Sequence, residues 1–173
     1  MQKELLSLSN TNTETFRDAL RKVVGMVSIV ATGQGASRRG LTVTAANSLT
    51  VEPPMVVMCI NRSADAHDTI LSTGSFSWNV LSIEHIELAR RFAGMDGRKG
   101  ESKFSANEWT ELVTRSPVLI DSLCSFDCHV ETASQTGTHT IITGAVVAQT
   151  LSRHVAPLIY AQGRFGTIDY NVE

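Results

Sequence analysis

The chain has 173 residues, of which 42% are hydrophobic and 18% charged, and its net charge at pH 7 is −2. That length suits a single domain with a real core, the composition is not that of a disordered chain, and the missing basic excess argues against a nucleic-acid partner. No apolar run reaches the ~18 residues of a membrane span, and residues 1–15 carry no apolar signal segment, so no membrane partner is expected. Three cysteines, Cys59, Cys124 and Cys128, are odd in number and lack CxxC spacing. They predict no disulfide framework and a cytoplasmic setting.

Residues 1–11 read as a tail and 12–170 as one domain. Thr11 and Glu14 have capping-box spacing, and Phe16, Ala19, Leu20, Val23 and Val24 recur at helical spacing, which predicts a helix over 12–22. A strand follows at 26–32. The segment 33–40 is a hairpin loop whose GxG lacks the third glycine and the helix of a dinucleotide fingerprint. Residues 41–51 read as one strand with a polar face, and 55–61 as a buried central strand, apolar on both faces. Ser63 or Asp65 is placed to cap a short helix over 65–72. A strand at 75–81, a helix over 84–94 ended by Gly94, a charged loop and a helical turn at 107–113 come next. Strands at 123–134 and 138–150 flank a turn, and a last strand covers 157–165. Mostly antiparallel strands with three short helices predict a mainly β fold, a closed or split β-barrel rather than a doubly wound sheet.

The chain holds no P-loop, HExxH, GxSxG or EF-hand pattern. Its five histidines never fall at i, i+2 or i, i+4, and Cys124 and Cys128 on one strand would lie about 13 Å apart, so no metal site is expected. Four polar segments remain. Thr42, Thr44, Asn47, Ser48 and Thr50 crowd one strand, which is either a solvent-facing edge or a bed for a polar ligand. Asn61-Arg62-Ser63 precedes a helix and reads as an ordinary cap or a phosphate contact. Arg90, Arg91, Arg98, Lys99 and Lys103 lie within fourteen positions, a solvated loop or a phosphate clamp. His139 follows the turn at Gly137, a surface histidine or a site residue.

Taken in order, these segments resemble the short-chain flavin reductase family, the small NAD(P)H:flavin oxidoreductases that serve two-component monooxygenases. The resemblance is carried by FRDALRKVVGMVSIVAT, RGLTVTAANSLTVEPPMVVMCINRSA, SFSWNVL, ARRFAGMDGRKGESKF, CSFDCHVETASQTGTHTIITGAVV and PLIYAQGRF, spanning roughly 16–166. It implies a split β-barrel with a few short helices, a homodimer, FMN or FAD as flavin, NADH or NADPH as reductant, and a partner oxygenase. It implies that Thr42, Val43, Thr44 and Ala45 offer backbone groups to the flavin ring and that Asn47 and Ser48 hydrogen-bond it. Asn61 and Ser63 match the ribityl and phosphate stretch, and Lys103 a phosphate neighbour. His139 matches the nicotinamide side, and Tyr160, Arg164 and Phe165 the closing strand. Two positions depart from the family's pattern: Thr138 stands where an aspartate commonly precedes the histidine, and Asn47 replaces a small or aromatic residue. The competing readings are a related FMN-dependent oxidase and a non-catalytic flavin- or heme-binding module.

Overall fold

The computed structural model describes residues 12–152 and 156–169. The expected tail, Thr11 and Tyr170 lie outside the described residues. Helix α1 is Thr13–Leu20. Its cap is Asn12, whose Oδ1 accepts from the backbone N–H groups of Glu14 and Thr15 at 3.0 Å each. The helix begins at Thr13, which puts Thr15 rather than Glu14 at the position that reaches back to the cap. None of its residues is buried.

The strands are β1 Gly25–Met26, β2 Ser28–Thr32, β3 Arg39–Val43, β4 Ala46–Thr50, β5 Met55–Asn61, β6 Ser75–Val80, β7 Trp109–Glu111, β8 Pro117–Leu119, β9 Cys124–Thr136, β10 His139–Leu151, β11 Ile159–Ala161 and β12 Arg164–Gly166. Two further helices are α2 His67–Thr73 and α3 Ile86–Phe92. Seven strands form one antiparallel sheet in the order β3-β2-β6-β9-β10-β5-β4, with small sheets β1-β11-β12 and β7-β8 beside it.

The single strand expected over 41–51 is two strands, β3 and β4, on opposite edges of the large sheet. Only Thr44 and Ala45 join them. Six strand spacings in a flat sheet cover about 29 Å. The three Cα steps from Val43 to Ala46 reach about 11 Å at most. The sheet must therefore curl until its edges meet, which makes it a split barrel.

Other expectations are corrected. β5 is next to an edge, not central, and only alternate residues, Val56, Met58 and Ile60, are buried. α2 starts at His67 behind an Ala66 cap that offers no side-chain hydrogen bond, because Ser63 bonds Asn61 and Asp65 turns to residue 100. Residues 109–111 are strand, not helix. Asn107 adopts φ 68, and Trp109 packs against Phe92 and Phe104 with ring centroids 5.3 and 5.0 Å away. The last strand is a hairpin, β11 and β12, turned by Gln162 and Gly163 at φ 53 and 77.

One core fills the barrel around Val30, Met58, Ile60, Phe76, Trp78 and Ile142. A second lies under α3 around Ile29, Leu81, Phe92, Phe104 and Leu158. Gly144 admits the Phe76 ring, since a Cβ there would stand 2.5 Å from Phe76 Cζ. Asn79 is fully buried with its amide saturated: Nδ2 donates to Ile29 O and Ser77 Oγ, and Oδ1 accepts from Leu119 N and Ser125 Oγ. It ties β8 to the barrel wall. Burial, then the charge of Asp127, pushes the Cys128 thiol up to about 12, and burial also raises Cys124. Both are inert wall residues.

Candidate functional site

Two clefts collect most of the residues singled out in the sequence. The first, about 730 Å³, lies between α1 and the barrel seam. Thr44, Ala45 and Asn47 form one wall, Tyr160 to Gly163 another, and Arg17, Leu20, Val23 and Val24 a third. The apolar residues that recur at helical spacing border this cleft: Leu20, at the end of α1, is 49% exposed and Val23, just beyond it, 62%. The sequence signal was present, but periodicity does not say whether an apolar face meets a core or a ligand. Thr44, Asn47 and Tyr160 make no side-chain hydrogen bond to any described residue, so their polar atoms are uncommitted.

The second cleft, about 740 Å³, is lined by Asn61, Arg62, Ser63, His67, Asp68, Leu71, Gln135, Gly137 and Thr138. It exists because β5 and β10 are neighbours in a register that sets His139 opposite Asn61. Asn61 Oδ1 accepts from Ser63 N and Ser63 Oγ, both at 2.9 Å, and so shapes the turn leaving β5. Arg62 N–H donates to Thr138 O at 3.0 Å, joining that turn to the β9–β10 hairpin. The Arg62 guanidinium is exposed with no partner among the described residues. His139 is exposed beside the cleft rather than in its wall, with Nδ1 2.9 Å from Thr138 Oγ1. Arg62 was read only as part of the Asn61-Arg62-Ser63 segment, and His67 escaped the sequence reading, because nothing in the pattern joined it to the hairpin 70 residues later.

The remaining candidates are placed differently. Thr42 turns inward, donating to Ala89 O at 2.7 Å. Val43 is a core side chain and Ser48 an exposed one on β4. Lys103 is buried; its ammonium donates to Gly40 O at 3.1 Å and Phe92 O at 3.5 Å and lies 3.7 Å from Asp65. It is built into the wall behind the 61–65 turn. Of the other loop cations, Arg91 is tied to Glu108 and Arg90 to Glu87. Tyr160 and Phe165 stack edge to face at 5.2 Å, and with Arg164 they border a smaller hollow beside the first cleft.

No group of three or more potential metal ligands occurs among the described residues. The donor set is one of amides, hydroxyls, free guanidinium groups, an aromatic ring and aliphatic surface. It suits a planar, partly apolar ligand carrying ribose- or phosphate-like ends.

A seamed antiparallel barrel with such clefts is the architecture of a cofactor-binding split barrel. Residues 20–169 match the model of the flavin reductase like domain, and the chain belongs to that family. It is 35% identical over 153 residues to the FMN reductase (NADH) RutF of Variovorax paradoxus, covering 88% of this chain and 84% of the relative. The 4-hydroxyphenylacetate 3-monooxygenase reductase component of Pseudomonas aeruginosa is 33% identical over 129 residues, 75% of this chain and 76% of that one. A solved structure from Haemophilus somnus superposes with a TM-score of 0.86 at 30% identity, covering 91% of this chain and all of the other.

Proposed function

We propose that this protein is an NAD(P)H-dependent flavin reductase that supplies reduced FMN or FAD to a partner monooxygenase, with NADH and FMN the first pair to test. The observation that carries the reading is the His139–Asn61 register across β5 and β10. It brings the stretch matched to the flavin's ribityl and phosphate beside the residue matched to the nicotinamide. The named activities of the relatives support the same reaction.

Bound flavin supplies the hydride-accepting chemistry, so the protein needs no nucleophile or acid–base pair. Its own residues position and solvate. Asn47, Ser48 and the backbone of residues 42–45 meet the ring edge, and Tyr160 with Phe165 and Arg164 covers its flank. Asn61, Ser63 and the free Arg62 take the polar tail. Lys103 adds positive charge from behind the wall, partly offset by Asp65. His139 orients the nicotinamide. The amide of Asn47 and the backbone N–H groups of this stretch would stabilise negative charge on a bound, reduced flavin.

The same reading includes a cytoplasmic homodimer. The outward residues of β5, Met55, Val57 and Cys59, pair with Ile141, Thr143 and Ala145 of β10 into an uncharged, half-exposed face. A second copy would cover it and help enclose the clefts. Light scattering at micromolar protein should give twice the chain mass.

The deciding assay follows NADH and NADPH oxidation with FMN, FAD or riboflavin. Oxidation strictly dependent on added flavin is expected. Absence of turnover with every combination would sink the reading.

A further inference from the structure

We propose that His67 is a positioning residue for the nucleotide half of the site, holding the 138–140 end of the β9–β10 hairpin through the hydroxyl of Thr140. The inference rests on the flavin reductase reading, in which that hairpin end carries His139.

Backbone pairing of β10 with β5 starts at His139, but residues 131–139 are all exposed, so no buried side chain holds the hairpin end beyond that ladder. The first buried residue of the returning strand is Thr140, with no exposed surface. Its Oγ1 lies 2.8 Å from His67 Nε2. His67 is itself only 4% exposed and stands at the start of α2, immediately after the Asn61–Ser63 turn. One imidazole thus links the segment assigned to the flavin tail with the segment assigned to the nicotinamide.

The chemistry of the ring's other side sets the direction of the bond. His67 Nδ1 lies 2.7 Å from Asp68 Oδ1. A carboxylate accepts and cannot donate, so Nδ1 carries a proton. In the neutral ring Nε2 is then the acceptor, and Thr140 Oγ–H donates to it. Asp68 acts on the hairpin at one remove, by fixing the tautomer and plane of the ring, as carboxylates do for ligating histidines. A second tie, from Arg62 N–H to Thr138 O, is backbone only and exerts no such selection.

The test uses the full chain as His67→Phe, Thr140→Val and Thr140→Ser. Loss of one neutral hydrogen bond converts to roughly a three- to tenfold effect. Thr140→Val should raise KM for NADH by that factor, while kcat and the Kd for FMN stay within about twofold of wild type, and His67→Phe, whose ring lines the cleft, should raise KM at least as much. Thr140→Ser restores the hydroxyl and should restore KM. Hydrogen exchange of the amides of residues 135–140, measured without nucleotide or flavin, should accelerate in the first two variants and not in the third. If His67→Phe fails to fold, the Val and Ser pair at position 140 decides the matter. Unchanged KM and exchange in Thr140→Val would overturn the proposal, and so would equal damage by Val and Ser. The expected exchange pattern across the variants, in a protein that oxidises neither NADH nor NADPH with any flavin, would instead overturn the reductase reading and leave the anchor standing.

Discussion

The hydroxyl of Thr42 donates to the carbonyl oxygen of Ala89 at 2.7 Å, pinning the middle of α3 to the edge of the barrel. A residue that the family pattern places at the flavin therefore spends its side chain on structure. Thr42→Val keeps the β-branched shape and removes the bond. It should cost about 1 kcal/mol, or roughly 2–4 °C in melting temperature. Flavin affinity should hold, because only the backbone of residue 42 is asked to meet the ring. Thermal melts and a fluorescence titration with FMN would check both halves.

Lys103 should behave otherwise. Removing its ammonium leaves two carbonyl oxygens, of Gly40 and Phe92, without their charged donor inside the wall. Charge-assisted bonds of this kind are worth about 1.5–3 kcal/mol. Lys103→Ala should lower the urea midpoint of the flavin-free protein as well as weaken flavin binding. A normal midpoint with weakened binding would mean that the ammonium faces the ligand.

Cys128 sets an alkaline limit. Its thiol is raised from the ordinary 9.0 to about 12 in the folded chain, by burial first and by Asp127 second. Above pH 9 the unfolded chain gives up this proton while the folded chain keeps it. Stability then falls as pH rises, by up to about 1.4 kcal/mol per unit, until about pH 12. Below pH 9 both states hold the proton and the slope vanishes. Urea midpoints at pH 8, 9.5 and 10.5 should decline in the wild type. Cys128→Ala should start lower, from the lost packing, and decline less.

Gly144→Ala tests the packing of the barrel interior. The new methyl would stand 2.5 Å from Phe76 Cζ and 3.2 Å from Cys128 Cβ, both buried. Overpacking of this sort costs about 1–3 kcal/mol. Pairing the change with Phe76→Leu should recover part of the loss in a double-mutant cycle.

How much of this was legible in the sequence depends on the range of the interaction. The β9–β10 hairpin was readable, because alternation and the Thr-Gly turn are local signals. So were the helix at 86–92 and its stop at Gly94. The break at Thr44-Ala45 was not, since a continuous run of Thr, Val and Ala has strand propensity throughout. Distant pairings show where the chain changes edges: Val43 stands opposite Ser28 on β2, whereas Cys59 N–H of β5 donates to Ala45 O. Trp109 read as helical because its aromatic partners, Phe92 and Phe104, lie in other segments. In the candidate site, ordered motifs pointed to Asn61, Ser63 and His139, and the register sets His139 opposite Asn61. Motifs were silent on side-chain direction, which is why Thr42 and Lys103 turn out to face inward.

The strand order also has a consequence for synthesis. β5 and β6 emerge from the ribosome well before their neighbours β10 and β9, which begin only at His139 and Cys124. A nascent chain that stops short of residue 124 carries an apolar strand, MVVMCI, and an alternating one, SFSWNV, each with one unsatisfied edge. Such open edges invite pairing with other chains. Truncations near residue 120 should therefore partition into inclusion bodies, and emergence of β9 and β10, rather than of the first strands, should mark the onset of a soluble fold.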